Sequence, residues 1–204
     1  MDLEGGTITV TFESGATRQI SMTEAEVKVS GFSNEIVGNK SITVEYKGMK
    51  TKFSVTIEEV KLSDLTIEEI PNNIEYVEGQ KFDKTGMKVI AHYNNKTTKE
   101  LLTEYTINPE RVLTIEDSKV TMSYTENGIT KTVEQTINVI KKGDVNKDNT
   151  VDFTDILAIN KHRLGKALLT GACLEASDVN DDGNIDFMDI LQINKFRLGK
   201  IYSL

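Results

Sequence analysis

Two twelve-residue stretches set 34 residues apart constrain this chain more than anything else in it. Asp144-Val-Asn146-Lys-Asp148-Asn-Thr150-Val-Asp152-Phe-Thr-Asp155 and Asp178-Val-Asn180-Asp-Asp182-Gly-Asn184-Ile-Asp186-Phe-Met-Asp189 carry oxygen-bearing side chains at positions 1, 3, 5, 9 and 12. Side chains at 1, 3, 5 and 12, a backbone carbonyl at 7 (Thr150 or Asn184) and a water held by position 9 form one curled set of hard oxygens. Such a set matches a cation that takes about six to eight oxygens, as Ca2+ does. Position 6 must turn the chain through positive φ. It is Asn149 in one stretch and Gly183 in the other, both tolerant of the left-handed region.

The 34-residue offset superposes more than the loops, since 16 of the 23 positions from 144 to 166 are identical to those from 178 to 200. Helical patterns follow each loop, through Ile156, Leu157 and Ile159 to Gly165, and through Ile190, Leu191 and Ile193 to Gly199. Phe153, Ile156, Leu157, Ile159 and Leu164 fit one helix face, and the glycines stand where a C-terminal cap belongs. The spacing is that of a calcium-binding EF-hand loop. An ordinary EF-hand also has a helix before each loop, yet Thr132 to Val139 reads as a strand and Ala167 to Ser177 is too short for a linker and a long helix.

Loop followed by helix, twice, with Asp at position 12, resembles the dockerin family, most closely type I, over residues 143 to about 202. Dockerins attach secreted enzymes and structural proteins to cohesin modules of a scaffoldin or cell-surface anchor. The resemblance implies a small all-α module with two F-hand calcium loops and two Ca2+. Its ligands would be Asp144, Asn146, Asp148, Thr150, Asp152 and Asp155 in the first loop, and Asp178, Asn180, Asp182, Asn184, Asp186 and Asp189 in the second. It also implies cohesin contacts at Phe153, Thr154, Asn160, Lys161, Arg163 and Gly165, and at Phe187, Met188, Asn194, Lys195, Arg197 and Gly199. Many type I dockerins carry a Ser-Thr pair where this chain has Phe153-Thr154 and Phe187-Met188, which implies a different cohesin specificity. The near-identity of the halves implies two orientations on a cohesin, with Thr154 against Met188, Ala158 against Gln192 and His162 against Phe196 favouring one of them.

The first 140 residues read differently. Thr7 to Phe12, Ser41 to Tyr46 and Thr51 to Ile57 alternate apolar and polar residues with the two-residue period of half-buried strands. Ser14-Gly15, Lys47-Gly48, Asn94-Asn95 and Glu126-Asn127-Gly128 supply turn chemistry between them. Short strands without intervening helical periods argue for β-sandwiches. A repeat of about 80 residues runs through this region, with Gly5 to Ile20 paralleling Gly86 to Leu101. The second copy has a leading segment, Leu65 to Phe82, that the first lacks, so the first copy is expected to start inside a module and to be ragged, or completed by packing, at that edge.

The run Ile74-Glu-Tyr76-Val-Glu-Gly79-Gln-Lys-Phe82-Asp83-Lys-Thr-Gly86-Met87-Lys-Val89 resembles the opening of bacterial immunoglobulin-like modules of group 3. That resemblance covers residues 63 to 140 well and 2 to 60 in part, and implies a sandwich on an extracellular bacterial protein. The expected organisation is therefore multidomain: an all-β immunoglobulin-like sandwich lacking its first strand at 1–60, a complete one at 61–141, and a dockerin at 142–204.

The charge supports this division. The chain has a formal net charge of -8, which argues against a general nucleic-acid partner. Residues 143 to 204 hold ten acidic and seven basic side chains, a net -3, with most of the carboxylates in the two loops. Their mutual repulsion without metal predicts folding coupled to calcium. No apolar run is long enough for a membrane span, and Met1 opens onto no secretion signal, so any such signal is expected to have been removed or to lie outside these residues. Cys173 allows no internal disulfide. His92 and His162 lack metal-ligand spacing and read as structural, and Tyr93, Tyr105 and Tyr124 read as core residues before they read as a sugar platform. No catalytic set is evident. The sequence thus predicts an extracellular, surface- or cellulosome-associated attachment module with a cohesin as partner and the sandwiches as spacers. The alternatives are an adhesive or glycan-contacting role for the sandwiches and a regulatory calcium sensor, the latter disfavoured because sensors need paired helices that open an apolar groove.

Overall fold

The computed structural model describes residues 2–33 and 35–204. It divides into two units, Met1–Val60 and Lys61–Leu204. In the first unit, β1 (Thr7–Thr11) pairs antiparallel with β2 (Thr17–Ser21), and β3 (Val27–Ser30), β4 (Gly38–Tyr46) and β5 (Met49–Ile57) form a three-stranded antiparallel sheet. The Lys47-Gly48 turn joins β4 to β5 with both residues at positive φ, the geometry whose twist matches that of the flanking strands. Val10, Ile20 and Tyr46 form a core cluster with Ile8 and Val27 against it, and Ile42 and Val44 of β4 are also buried. The alternation read for β5 does not translate into burial: its first six residues are all exposed.

The second unit opens on β6 (Leu62–Glu69), so the leading segment read from Leu65 begins inside a strand that starts three residues earlier. Next come β7 (Glu75–Val77), β8 (Lys88–Tyr93), β9 (Thr98–Leu101), β10 (Thr106–Asn108), β11 (Lys119–Glu126), β12 (Ile129–Thr136) and β13 (Asn138–Ile140). One sheet has the order β6-β8-β9 and another β10-β11-β12, while β13 runs parallel to β7. Between the sheets lie two apolar clusters. One gathers Leu62, Leu65, Val89, Ala91, Leu101 and Tyr124; the other gathers Tyr76, Leu113, Val120, Met122 and Ile137.

The motif from Ile74 to Val89 has a physical explanation here. Tyr76 is buried, its hydroxyl donating to the Asn73 carbonyl at 2.9 Å and accepting from the Asp83 amide at 3.2 Å, with the Phe82 ring at 6.0 Å centroid separation. Asp83 in turn accepts from the Thr85 amide at 2.9 Å and holds the turn. Gly86 sits at φ +84, and a Cβ there would strike the Asn72 side chain, whereas Gly79, at φ +90, faces open space. Gly86→Ala is therefore expected to cost about 2 kcal/mol or more, from left-handed strain plus the collision, while Gly79→Ala costs only the strain, about 1 kcal/mol. Urea denaturation of the two variants checks the difference.

Three helices complete the second unit: α1 (Phe153–Arg163), α2 (Gly171–Glu175) and α3 (Phe187–Arg197). α2 is the short turn that the 167–177 interval has room for, and it carries Cys173, half-buried. The helical core gathers Val145, Ile156, Ile159, Ala172, Ala176, Val179, Ile190 and Ile193, and it also takes in Val77 of β7 and Ile140 of β13. The sandwich strands thus supply part of the helical core.

Candidate calcium loops and docking faces

Each loop leads straight into a capped helix. Asp152 is the N-cap of α1 and accepts from the Thr154 amide at 2.7 Å, while Asp155 reaches back to the Asp152 amide at 2.8 Å. Asp186 and Asp189 repeat this arrangement at α3, with the Met188 amide at 2.6 Å and the Asp186 amide at 2.8 Å. These reciprocal bonds satisfy amides that a helix start otherwise leaves unpaired. At the other end Gly165 and Gly199 adopt φ +65 and +66, and the amides of Lys166 and Lys200 donate to the carbonyls of Lys161 and Lys195, both at 2.8 Å. Glycine is required there because the chain reverses through the left-handed region.

The loop interiors match one another closely. Asp144 accepts from the Asp148 amide at 3.1 Å and the Asn149 amide at 3.0 Å, and Asp178 from the Asp182 amide at 3.2 Å and the Gly183 amide at 2.8 Å. Asn146 and Asn180 each donate to the position-5 carboxylate, Asp148 or Asp182, at 2.8 Å. Position 6 is at φ +69 in Asn149 and +81 in Gly183, and position 4 is also at positive φ in both loops. Asp155 and Asp189 accept from Val145 and Val179 at 2.9 and 3.0 Å, tying each loop's last ligand position to its start.

Electrostatically the loops are under-neutralised. Asp155 and Asp189 are 0% exposed and Asp144 is 1% exposed. Burial pushes the Asp155 and Asp189 carboxyls above the ordinary carboxylate range. Asp148 is held below that range by hydrogen bonds, first from the Thr150 side chain, and Asp182 by the Asn184 amide first. Among the described residues, no three His, Cys, Asp or Glu side chains converge tightly enough to enclose an ion. Each loop instead combines carboxylates with Asn146 or Asn180 and with main-chain carbonyls. Buried carboxylates bonded only to neutral amides, in a hard-oxygen set, fit a divalent cation such as calcium.

The predicted contact residues lie on exposed helix surface. Phe153 is 59% and Phe187 61% exposed, and Thr154, Met188, Lys161, Arg163, Lys195 and Arg197 are also exposed. Asn160 and Asn194 are half-buried, and each receives a bond from the arginine three residues on, at 3.5 Å from Arg163 and 2.9 Å from Arg197. Gly165 and Gly199 are exposed at the caps. One expectation needs correction: Phe153, Leu157 and Leu164 do not share the buried face of α1, which consists of Asp155, Ile156 and Ile159. The core between α1 and α3 is filled by four isoleucines, Ile156, Ile159, Ile190 and Ile193, which leaves the larger side chains outside.

Several contacts made by the loops and α2 were not legible in the loop pattern. Lys147 at position 4 of the first loop reaches Glu75 of β7 at 2.8 Å, Asp181 at position 4 of the second pairs with Lys142, and Gln80 donates to Glu175 at 2.6 Å. Position 4 carries no ligand in the spacing, so nothing in the pattern marks it. The remaining candidates are structural. His92 Nε2 lies 2.8 Å from the Thr66 hydroxyl and His162 Nδ1 accepts from the Leu169 amide at 3.0 Å. Tyr124 is buried in the sandwich core with Tyr93 and Tyr105 packed against it.

Comparison with known proteins is consistent with this geometry. Residues 142–196 match the type I dockerin domain and residues 1–57 the bacterial Ig-like domain of group 3. Among curated proteins, Pectate lyase L of Thermoclostridium stercorarium is 27% identical over 104 residues, 51% of this chain and 8% of that protein, so the chain spans a small part of its relative. Among solved structures, a complex of the third ScaC cohesin with the ScaB dockerin of Acetivibrio cellulolyticus matches at 28% identity. That match covers 32% of this chain and 92% of the other, with a TM-score of 0.30. Domains 4–9 of the surface layer protein SbsC match at 12% identity and a TM-score of 0.29, covering 67% of this chain and 25% of that one. Both matched domain types are non-catalytic, type I dockerins bind calcium, and no described helix is long and apolar enough to cross a membrane. The chain carries a type I dockerin domain at residues 142–196 and a bacterial Ig-like domain of group 3 at residues 1–57.

Proposed function

We propose that residues 142–204 hold two Ca2+ and dock onto a cohesin of a scaffoldin or cell-surface anchor, attaching an extracellular parent protein, with the β-sandwiches of residues 1–60 and 61–141 as spacers. The observation that carries this reading is the duplicated loop whose buried carboxylates lead into a helix with exposed large apolar side chains. Asp144, Asn146, Asp148, Thr150, Asp152 and Asp155 would hold one ion. Asp178, Asn180, Asp182, Asn184, Asp186 and Asp189 would hold the other. Bound calcium supplies the positive charge that the loop carboxylates lack. The protein's own part is to fix each helix start through Asp155 and Asp189, which sets where Phe153-Thr154 and Phe187-Met188 stand relative to the partner. Aromatic side chains and methionine are enriched at the centre of protein–protein interfaces. The similarity to a pectate lyase supports a parent that acts on plant polysaccharide, within a cellulosome-type assembly.

The two faces differ where it matters for orientation. The Thr154 hydroxyl donates to Asp152 at 2.7 Å and meets the Asn146 amide at 2.7 Å, whereas Met188 offers an exposed thioether. Replacing Phe187 and Met188 together by alanine is expected to weaken cohesin affinity about tenfold or more, and replacing Phe153 and Thr154 together only a few-fold, because the first pair removes more apolar contact. Titration calorimetry of the two double variants checks this. Equal losses contradict a preferred orientation, and no loss from either contradicts docking through these helices.

A further inference from the structure

We propose that β7 and β13 of the second sandwich position the two calcium loops, so that calcium affinity depends on how those strands pack and calcium in turn stabilises them. The inference rests on the reading of the loops as calcium sites and goes beyond it: residues 61–141 form one wall of the metal-binding module and are more than a spacer. The connection is short. Lys141, Lys142 and Gly143 alone separate the end of β13 at Ile140 from the start of the first loop at Asp144. The Lys142 amide donates to the Glu78 carboxylate at 3.0 Å and the Gly143 amide to the Ala176 carbonyl at 2.8 Å. Gly143 sits at φ +87, and a Cβ there would lie 2.6 Å from the Leu204 side chain and 3.1 Å from that of Val151, so the chain passes too close for a larger residue.

Strand packing reaches the proposed ligands through a single residue in each loop. Val77 of β7 and Ile140 of β13 are buried in one cluster with Val145 and Val179, the second residues of the two loops. The amides of those loop valines donate to the Asp155 and Asp189 carboxylates at 2.9 and 3.0 Å. Gln80 adds a polar bridge, its Oε1 accepting from the Val77 amide at 2.9 Å while its Nε2 donates to Glu175 of α2 at 2.6 Å. Position 4 lies at φ +60 in Lys147 and +57 in Asp181, and both side chains are tied down, Lys147 by Glu75 of β7 and Asp181 by Lys142. Those ion pairs are partly exposed and count for little alone, so the buried cluster is the stronger link. A loop already ordered before its ion arrives binds more tightly, because less of the binding free energy goes into ordering it. Such coupling is reciprocal.

Calcium titration calorimetry of the full chain tests this with Val77→Ala, Gln80→Ala and, as a control, Val89→Ala, which makes the same deletion as the first but in the sandwich cluster of Leu62, Leu65 and Tyr124. Val77→Ala is expected to weaken calcium binding about tenfold. Gln80→Ala, which changes no charge and keeps the buried cluster intact, is expected to weaken it a few-fold, and Val89→Ala to leave it unchanged. In the unaltered chain, hydrogen exchange is expected to slow several-fold or more on adding calcium at two amides between β7 and β13: that of Glu78, bonded to the Ile140 carbonyl at 2.9 Å, and that of Asn138, bonded to the Ile74 carbonyl at 2.8 Å. Equal calcium affinity in all four chains, equal losses in Val77→Ala and Val89→Ala, or exchange at those amides that calcium does not change, overturns the proposal and leaves the calcium sites standing. No calcium uptake by any of the chains overturns both.

Discussion

Adding a chelator to this chain is expected to remove most of the helical circular dichroism of residues 153–163 and 187–197 while the sandwich signal persists. α1 and α3 are eleven residues each, shorter than the roughly 12–15 residues at which isolated helices become even marginal in water. Their shared core is small, and both helix starts depend on carboxylates that are fully buried. Removing the cation leaves those charges uncompensated in a site that already disfavours ionisation. Saturating a site at about a hundred times its dissociation constant adds about 2.7 kcal/mol, so the two proposed sites together would contribute about 5 kcal/mol, a large share of a small module's stability.

Acidification should narrow the gap between the calcium-loaded and chelated forms. Asp155 and Asp189 are raised by burial, so in the chelated fold they contribute stability below the ordinary carboxylate range and lose it as pH rises through their elevated values. Asp148 and Asp182, which are lowered, act in the opposite direction, but both are exposed and count for less. The loaded form loses metal as its carboxylates protonate. Helical circular dichroism at pH 4 and pH 7, with and without chelator, should therefore show the larger calcium effect at pH 7.

The second large effect belongs to Asp155→Ala and Asp189→Ala. Each substitution leaves the amide that the carboxylate caps, Asp152 or Asp186, and the buried amide it ties to the loop start, Val145 or Val179, without their acceptor. Each also removes a proposed calcium ligand. Unsatisfied buried amides cost about 1–3 kcal/mol apiece, so a loss of about 3 kcal/mol or more is expected before any calcium is counted. Exposed Asp148→Ala or Asp182→Ala should cost clearly less at saturating calcium. Chemical denaturation of the four variants in saturating calcium, read beside the calcium affinity of each variant by titration calorimetry, separates the structural share from the metal share. Similar losses for buried and exposed positions would contradict the division of roles between them.

Spacing made the loops, the helices after them and the glycine caps legible, because each follows from local chemistry: an oxygen every second residue, an apolar recurrence, a positive φ. The run from Ile74 to Val89 entered only as a family resemblance, and the turn held by Tyr76, Asp83 and Gly86 emerges from the structure. Which apolar residues of α1 are buried was not legible, since periodicity marks a stripe without showing how much of it a partner element covers. Ile156 and Ile159 fill the space against α3, and Phe153, Leu157 and Leu164 are left out. Equally hidden was the contribution of Val77 and Ile140 to the helical core, and the Lys147–Glu75 and Lys142–Asp181 pairs. These join residues far apart in sequence through a β7–β13 pairing that no local pattern encodes.

Titration calorimetry of the intact chain against a panel of purified cohesins, in calcium and again in excess chelator, tests the central claim most directly. The account predicts saturable one-to-one binding to at least one cohesin in calcium and its loss in chelator, with recovery on adding calcium back. Binding of equal strength in both conditions, or none to any cohesin by a chain whose helices are formed, would contradict it.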